Sequence, residues 1–265
     1  MRFPLRISAF ALAGLAAAAF AAVTATAARL PTPLVYLRDV DPSILQDMRY
    51  ATENNFTGRV VPGYRAGECI LLRPVAVALS KVQADLRRKG LSLKVYDCLR
   101  PARAVHAFVT WGEMQAAGRD VPRFHPRTAK DRVVGLGYIA SYSAHSRGVA
   151  VDLTIVALPA ANETPFDPRA RYGACNGPKP ARAPDNSIDM GTSFDCFDVM
   201  SYTRSGGITP QQRHWRELLH SAMLARGFHN YWREWWHYTL AVPGANKVYD
   251  LPIGSPGIAA AQKHQ

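Results

Sequence analysis

The chain has 265 residues, 48% hydrophobic and 20% charged, with a formal net charge of +12. That length can bury a full core as one large domain, and no internal repeat interrupts it. The basic balance suits work beside an anionic cell envelope. Without a basic helix, an aromatic-and-basic repeat or zinc-finger spacing it gives no signal for nucleic acid as a partner.

Residues 1–27 read as a secretory signal peptide. Arg2 and Arg6 form a basic start, residues 7–23 are apolar and Ala-rich, and Ala25-Thr26-Ala27 fits the small-x-small cleavage pattern. The apolar run is short for a membrane span, and no cysteine follows it to carry a lipid. An exported protein of the periplasm or cell envelope is expected, with no stable membrane anchor after cleavage. The mature chain would comprise a domain over 28–254 and a flexible tail over 255–265.

Residues 30–33 read as an extended linker. Asp41-Pro42-Ser43 ahead of Ile44, Leu45 and Met48 predicts a short capped helix within 40–50. Gly58, Pro62 and Gly63 make 54–66 a loop. A long helix over 71–89 follows from Leu72, Val75, Leu79, Val82 and Leu86 at three-to-four spacing, ended by Gly90. Leu91, Leu93 and Val95 alternate with polar residues as in a half-buried strand. Pro101 starts a second helix over 102–117, stopped by Gly118. Residues 119–140 read as irregular.

Val149, Val151, Leu153 and Ile155 predict a strand whose other face carries Asp152. His145 differs from Asp152 in parity, so a bend at Gly148 is needed to bring them together. Residues 159–187, rich in Pro, Ala, Asn and Arg, read as a surface insertion tied down by Cys175. A third helix over 210–226 buries Trp215, Leu218, Leu219 and Ala222 and ends at Gly227. A last strand runs over 236–240, with Glu234 at its entrance or at a bulge.

Cys69, Cys98, Cys175 and Cys196 are an even set in an exported chain and suggest two disulfides. Of the three possible pairings, Cys69–Cys98 and Cys175–Cys196 link neighbouring segments and are favoured. A four-cysteine metal site is the rival, but it usually shows close CxxC pairs, which are missing. Each bridge closes a loop of about 20 to 30 residues, worth about 3 kcal/mol on the chain-entropy argument.

Two histidines stand apart from the ordinary His106, His125, His214, His220, His229 and His264. His145 sits with Asp152, and His237 with Glu234, each at a spacing that a local turn can close. Two His and one carboxylate form a ligand set for a catalytic zinc. On spacing alone, His-x6-Asp and a strand-borne Glu-x-x-His leave the structural and the metal readings both open.

Several stretches together resemble one family. They are Tyr50-Ala51-Thr52 with Asn55-Phe56-Thr57-Gly58, Arg100-Pro101, Ser143-Ala144-His145-Ser146-Arg147-Gly148, Met190-Gly191-Thr192-Ser193-Phe194-Asp195 and Glu234-Trp235-Trp236-His237-Tyr238. The pattern resembles the zinc D-Ala-D-Ala peptidases, most nearly the D-alanyl-D-alanine dipeptidases of the VanX type, from about residue 40 to 252. The signal peptide, the cysteines and the Pro-rich insertion depart from it.

The resemblance implies an α+β fold of the hedgehog / D-Ala-D-Ala peptidase kind, in which a small antiparallel sheet carries the zinc site and helices pack on it. It implies one Zn2+ per chain on His145, Asp152 and His237, with Glu234 as general acid/base and Arg100 facing the scissile carbonyl. Asp195 would hold the free amine of D-alanyl-D-alanine, and Ser143 and Tyr50 would complete the substrate pocket. The simpler readings are a surface carboxylate for Glu234, a partner of Asp97 or a helix cap for Arg100, and a turn residue for Asp195. Trp235-Trp236 reads as packing. The expected function is hydrolysis of the dipeptide in cell-wall precursor turnover. The rivals are a zinc D,D- or L,D-carboxypeptidase acting on peptidoglycan stems and a non-catalytic zinc-bearing wall-binding module. The sequence carries no signal for an oligomeric state.

Overall fold

A computed structural model describes residues 30–113 and 121–256. The signal peptide, the end of the helix expected over 102–117 and most of the expected tail lie outside the described residues. In chain order the elements are β1 (Leu34–Tyr36), α1 (Leu37–Val40), β2 (Leu45–Gln46), β3 (Ile70–Leu72), α2 (Arg73–Arg87), β4 (Leu91–Asp97), α3 (Ala102–Glu113), β5 (Ala150–Ala157), α4 (Pro210–Leu224), β6 (Phe228–Asn230) and β7 (His237–Leu240).

The fold is α+β, built on a five-stranded sheet in the order β2-β4-β5-β7-β6, with β1 and β3 as a separate pair. β4 and β5 pair antiparallel from Leu91↔Ala157 to Asp97↔Asp152, with a bulge between Val95 and Asp97. β5 then pairs with β7 so that Asp152 lies directly opposite His237. The bulge, the start of β5 and the start of β7 thus meet at one end of the sheet, where the polar residues gather. Among the described residues no helix is long and apolar enough to cross a membrane.

α2 packs on this sheet through Val75, Ala76, Leu79, Val82 and Leu86. Its buried Gln83 donates to Ser92 Oγ at 2.9 Å and accepts from Leu93 N at 2.8 Å, which fixes the helix against β4. The helix begins at Arg73, two residues later than the periodicity predicts, because Leu71 and Leu72 are committed to pairing with β1. α4 starts with a capping box between Thr209 and Gln212 and buries Leu219 and Met223. It also buries Arg216, which donates to the carbonyls of Met190, Met200 and Tyr202 at 2.7–2.9 Å. The expected Trp215, Leu218 and Ala222 are only partly buried.

Three expectations are corrected. Residues 40–50 do not form a capped helix. The Asp41 carboxylate accepts from Ser43 N at 3.0 Å and from Ser43 Oγ at 2.6 Å, so the capping chemistry closes a turn instead. The chain then runs parallel to β4 as the edge strand β2, so the sheet is not wholly antiparallel. Tertiary pairing overrides the local helix signal.

The insertion at 159–187 contains one short 3-10 turn, Lys179–Ala181, and is more than a surface excursion. Its Asp185 accepts from Arg49 Nη2 at 2.8 Å, Lys94 Nζ at 2.8 Å and Tyr96 OH at 2.6 Å. Burial pushes the Asp185 carboxyl up, but Arg49 and Lys94 outweigh that and hold it well below the ordinary range. Its stabilisation is therefore complete above the unfolded Asp range near pH 4 and is lost as pH falls below it. Asp185→Asn is expected to destabilise the chain by about 3 kcal/mol, the usual result of breaking a buried ion pair. It should also flatten the acid limb of a stability–pH curve measured by denaturant unfolding. An unchanged acid limb would remove Asp185 as an anchor.

Candidate active site

Gly148 has φ +69° and terminates the single 3-10 turn His145–Arg147. A side chain there would lie 3.2 Å from Leu34 Cδ2 and 3.3 Å from Leu72 N. This left-handed glycine is the bend that carries His145 back over the start of β5. His145 Nδ1 lies 2.7 Å from the Cys98 carbonyl, so this nitrogen is the donor and Nε2 is left bare. Asp152 sits at the start of β5 and His237 at the start of β7.

His145 Nε2 lies 3.2 Å from Asp152 Oδ1 and 3.1 Å from His237 Nδ1, and His237 Nδ1 lies 3.0 Å from Asp152 Oδ1. A bare ring nitrogen therefore faces a carboxylate oxygen, two acceptors that only a proton or a cation between them reconciles. An ion with bonds of about 2.0 Å at tetrahedral angles sets its donors about 3.3 Å apart. The triad has that shape, and these three residues form a possible metal site among the described residues. Burial keeps the His237 imidazole less basic than usual, against the pull of Asp152. Burial opposes ionisation of Asp152, but His145 and His237 outweigh it and hold the carboxyl well below its ordinary range. Neutral imidazole and ionised carboxylate are the forms that bind metal.

The triad opens into a cleft of about 280 Å³, near the small end of ligand pockets. Arg100, Tyr50, Asp195, Glu234, Ser143 and Tyr231 are among the residues that line it. Glu234 lies in the turn before β7, as its parity requires. Its Oε2 is 3.8 Å from His237 Nδ1, farther than the 3.0–3.2 Å that separates the three donors from one another. Burial, then the charges of Asp152 and Asp195, push the Glu234 carboxyl well above the ordinary range, with Arg100 opposing.

Arg100 pairs with Asp97 through Nε at 2.9 Å and reaches Asp152 through Nη2 at 3.4 Å. Its guanidinium lies over the rings of Tyr50 and Phe108. The arginine is thus both a partner of Asp97 and a wall of the cleft. Ser143 Oγ accepts from His145 N at 3.2 Å, leaving its own proton available.

Asp195 is the one described non-glycine residue with positive φ, at +57°. Such a conformation costs on the order of 1–3 kcal/mol and persists where the surroundings impose it. Its Oδ2 accepts from Tyr50 OH at 2.8 Å. Burial, then Asp152, push its carboxyl well above the ordinary range, against Tyr50 and Arg100. Three carboxyls in one cleft are balanced by one guanidinium, a deficit of positive charge that a bound cation and a cationic substrate group would fill.

The cluster has support that no local motif announces. Asp97 is fully buried, accepts from Tyr64 OH at 2.6 Å and lies 3.5 Å from His145 Nδ1. Its only sequence signal is its place three residues before Arg100. Tyr138 and Tyr142 enter the cleft from the stretch before Ser143, and Tyr231 from the distant stretch before Glu234. Trp235 and Trp236 are buried and pack edge to face behind the site. Both disulfides join the favoured partners, Cys69 to Cys98 and Cys175 to Cys196.

Comparison with known proteins places this geometry in a family. A peptidase M15 family model described as D-ala-D-ala dipeptidase matches residues 31–162 and 183–252. A D-alanyl-D-alanine dipeptidase of Enterococcus faecium is 30% identical over 219 residues, covering 82% of this chain and 96% of that protein. The D-alanyl-D-alanine dipeptidase of Streptomyces coelicolor is 32% identical with the same coverage. The Escherichia coli protein of that name is 29% identical over 79% of this chain and 85% of its own length. The chain is a metallopeptidase of the M15 family, in its D-Ala-D-Ala dipeptidase group.

Proposed function

We propose that this protein is a zinc dipeptidase that hydrolyses D-alanyl-D-alanine to two D-alanines in cell-wall precursor turnover. The observation that carries the reading is the meeting, in one small cleft, of the His145, Asp152 and His237 donors with Glu234, Arg100 and Asp195. Two imidazoles and one carboxylate at tetrahedral spacing suit zinc: His145, Asp152 and His237 would hold it, and it would supply Lewis acidity toward the scissile carbonyl and a water.

The chain's own groups divide the remaining work. Asp195, aimed by Tyr50, holds the substrate ammonium in a charge-assisted contact. Glu234 takes a proton from the attacking water and returns it to the leaving amine. Arg100 brings its remaining guanidinium donors to the carbonyl oxygen as negative charge develops there. Ser143 offers its hydroxyl proton to a substrate acceptor.

A carboxylate buried at the amine end favours a free dipeptide over the acylated stem that a D,D- or L,D-carboxypeptidase takes, because an amide there leaves the charge unpaired. The presence of Glu234 and Arg100 favours catalysis over a wall-binding role. The test is steady-state kinetics on free and N-acetylated D-Ala-D-Ala. Asp195→Ala is expected to keep the metal and most of kcat while raising KM for the free dipeptide by about 10-fold or more, the scale of a lost charged contact. Its preference should shift toward the acetylated substrate. A variant that discriminates as strongly as the parent would remove Asp195 as the amine site and restore the carboxypeptidase reading.

The function would be exercised outside the cytoplasm. The basic and apolar leader motivates export, and two disulfides suit an oxidising compartment. N-terminal sequencing of protein from the cell envelope should start near Ala28, and an intact Met1 on cytoplasmic protein would overturn this.

A further inference from the structure

The family match breaks between residues 162 and 183, and Cys175 lies in that gap. Its partner, Cys196, directly follows Asp195. Both sulfurs belong to buried residues. The backbone around them is laced together. Cys175 N donates to the Arg123 carbonyl at 2.8 Å, Ser193 N donates to the Cys175 carbonyl at 2.8 Å, and Phe197 N donates to the Phe124 carbonyl at 2.7 Å. Asn176 Nδ2 adds a bond to Asp198 Oδ2 at 3.1 Å. The chain is therefore pinned two residues before Asp195, one residue after it and two residues after it, with the extra segment seated against the 123–124 turn.

Asp195 needs that restraint. It is the left-handed non-glycine residue of the cleft, and among the described residues its own backbone makes no hydrogen bond. Tyr50 holds the carboxylate, but the direction from which the side chain leaves the backbone is set by its neighbours. The other disulfide stands at the opposite half of the site: Cys98, bound to Cys69, supplies the carbonyl that orients His145. One cross-link thus flanks the metal-donor half and one flanks the amine half.

We infer that residues 163–182, through the Cys175–Cys196 bridge and Asn176, are a positioning device for Asp195 that sets the enzyme's affinity for a free amine and leaves its chemical step alone. This deepens the dipeptidase reading and rests on it. In the paired variant Cys175→Ser with Cys196→Ser, KM for D-Ala-D-Ala should rise about 10-fold while kcat stays within about threefold, the pattern of lost uniform binding. Metal content should stay at the parent level, and the preference for free over N-acetylated dipeptide should shrink. Amide hydrogen exchange should quicken at Ser193 and Phe197 and stay unchanged across β5 and β7. Asn176→Ala, which keeps the bridge, should move KM and exchange in the same direction by about two- to threefold.

Faster exchange with an unchanged KM would make the bridge merely structural and overturn the proposal, as would a loss of metal or an equal fall in kcat. If the paired variant does not fold, Asn176→Ala decides alone, and an unchanged KM there overturns the proposal. If the parent enzyme does not hydrolyse D-Ala-D-Ala, the dipeptidase reading fails first. The positioning claim is then read from exchange, and unchanged exchange at Ser193 and Phe197 overturns it.

Discussion

Replacing Glu234 by alanine is expected to leave the metal in place and to lower kcat by at least about 10²-fold, the usual scale for a general acid/base. The two effects separate because Glu234 is near the metal donors without being one of them. Its Oε2 stands 3.8 Å from His237 Nδ1, whereas the three donors stand 3.0–3.2 Å from one another. What Glu234 gives the fold comes from its backbone. Its carbonyl accepts from Asn230 Nδ2 at 2.9 Å and from His237 N at 3.2 Å, and both bonds survive truncation of the side chain. The turn that delivers His237 should therefore persist. Glu234→Gln sharpens the test, since the amide keeps the shape and cannot cycle a proton. Both variants should carry the parent metal content with kcat depressed alike and KM nearly unmoved. Turnover within a factor of about three of the parent in either one would remove Glu234 from the chemistry, and metal loss would make it a structural support of the site.

How much of this could be read in the chain before folding depended on whether a feature was local. The bend at Gly148, the parity of Glu234 and both cysteine pairings follow from spacing within short stretches, and the structure places each where spacing predicts. The same holds for α2, whose apolar stripe has a single period. The features that escaped are made by distant segments meeting. Asp41-Pro42-Ser43 carries a helix start signal, yet β4 offers the chain a strand partner and the Asp41 side chain closes a turn instead. Arg216 looks like a surface residue of a polar helix, but three backbone carbonyls from 190–202 converge on it. Asp185 sits in a stretch whose composition says solvent, and only the fold brings Arg49, Lys94 and Tyr96 to it. Asp97, the buried base of the Arg100 and His145 network, is one acidic residue at a strand end until the bulge in β4 turns it inward.

His145→Ala, Asp152→Ala and His237→Ala should each abolish turnover by removing the metal, and each should leave less than about a tenth of an equivalent after dialysis. The expectation follows from how the triad is held. His145 is oriented by the Cys98 carbonyl, and Asp152 and His237 face each other across paired strands, so none of the three can shift to cover for a missing neighbour. Asp152→Ala should do further harm, since Arg100 then loses its second carboxylate, although Asp97 still holds it. Because the donors come from separate elements, metal binding should also be felt as stability. At a thousandfold excess of free metal over Kd the linkage is worth about 4 kcal/mol. For a chain of this size that corresponds to a fall in Tm of roughly 8–16 °C on chelation. The parent should show that fall and recover with added zinc, while the three variants should show neither. Metal analysis finding a full equivalent in any variant would strike that residue from the donor set. A parent Tm indifferent to chelator and to zinc would mean that the triad stands assembled without an ion, held by a proton shared between His145 or His237 and the Asp152 carboxylate.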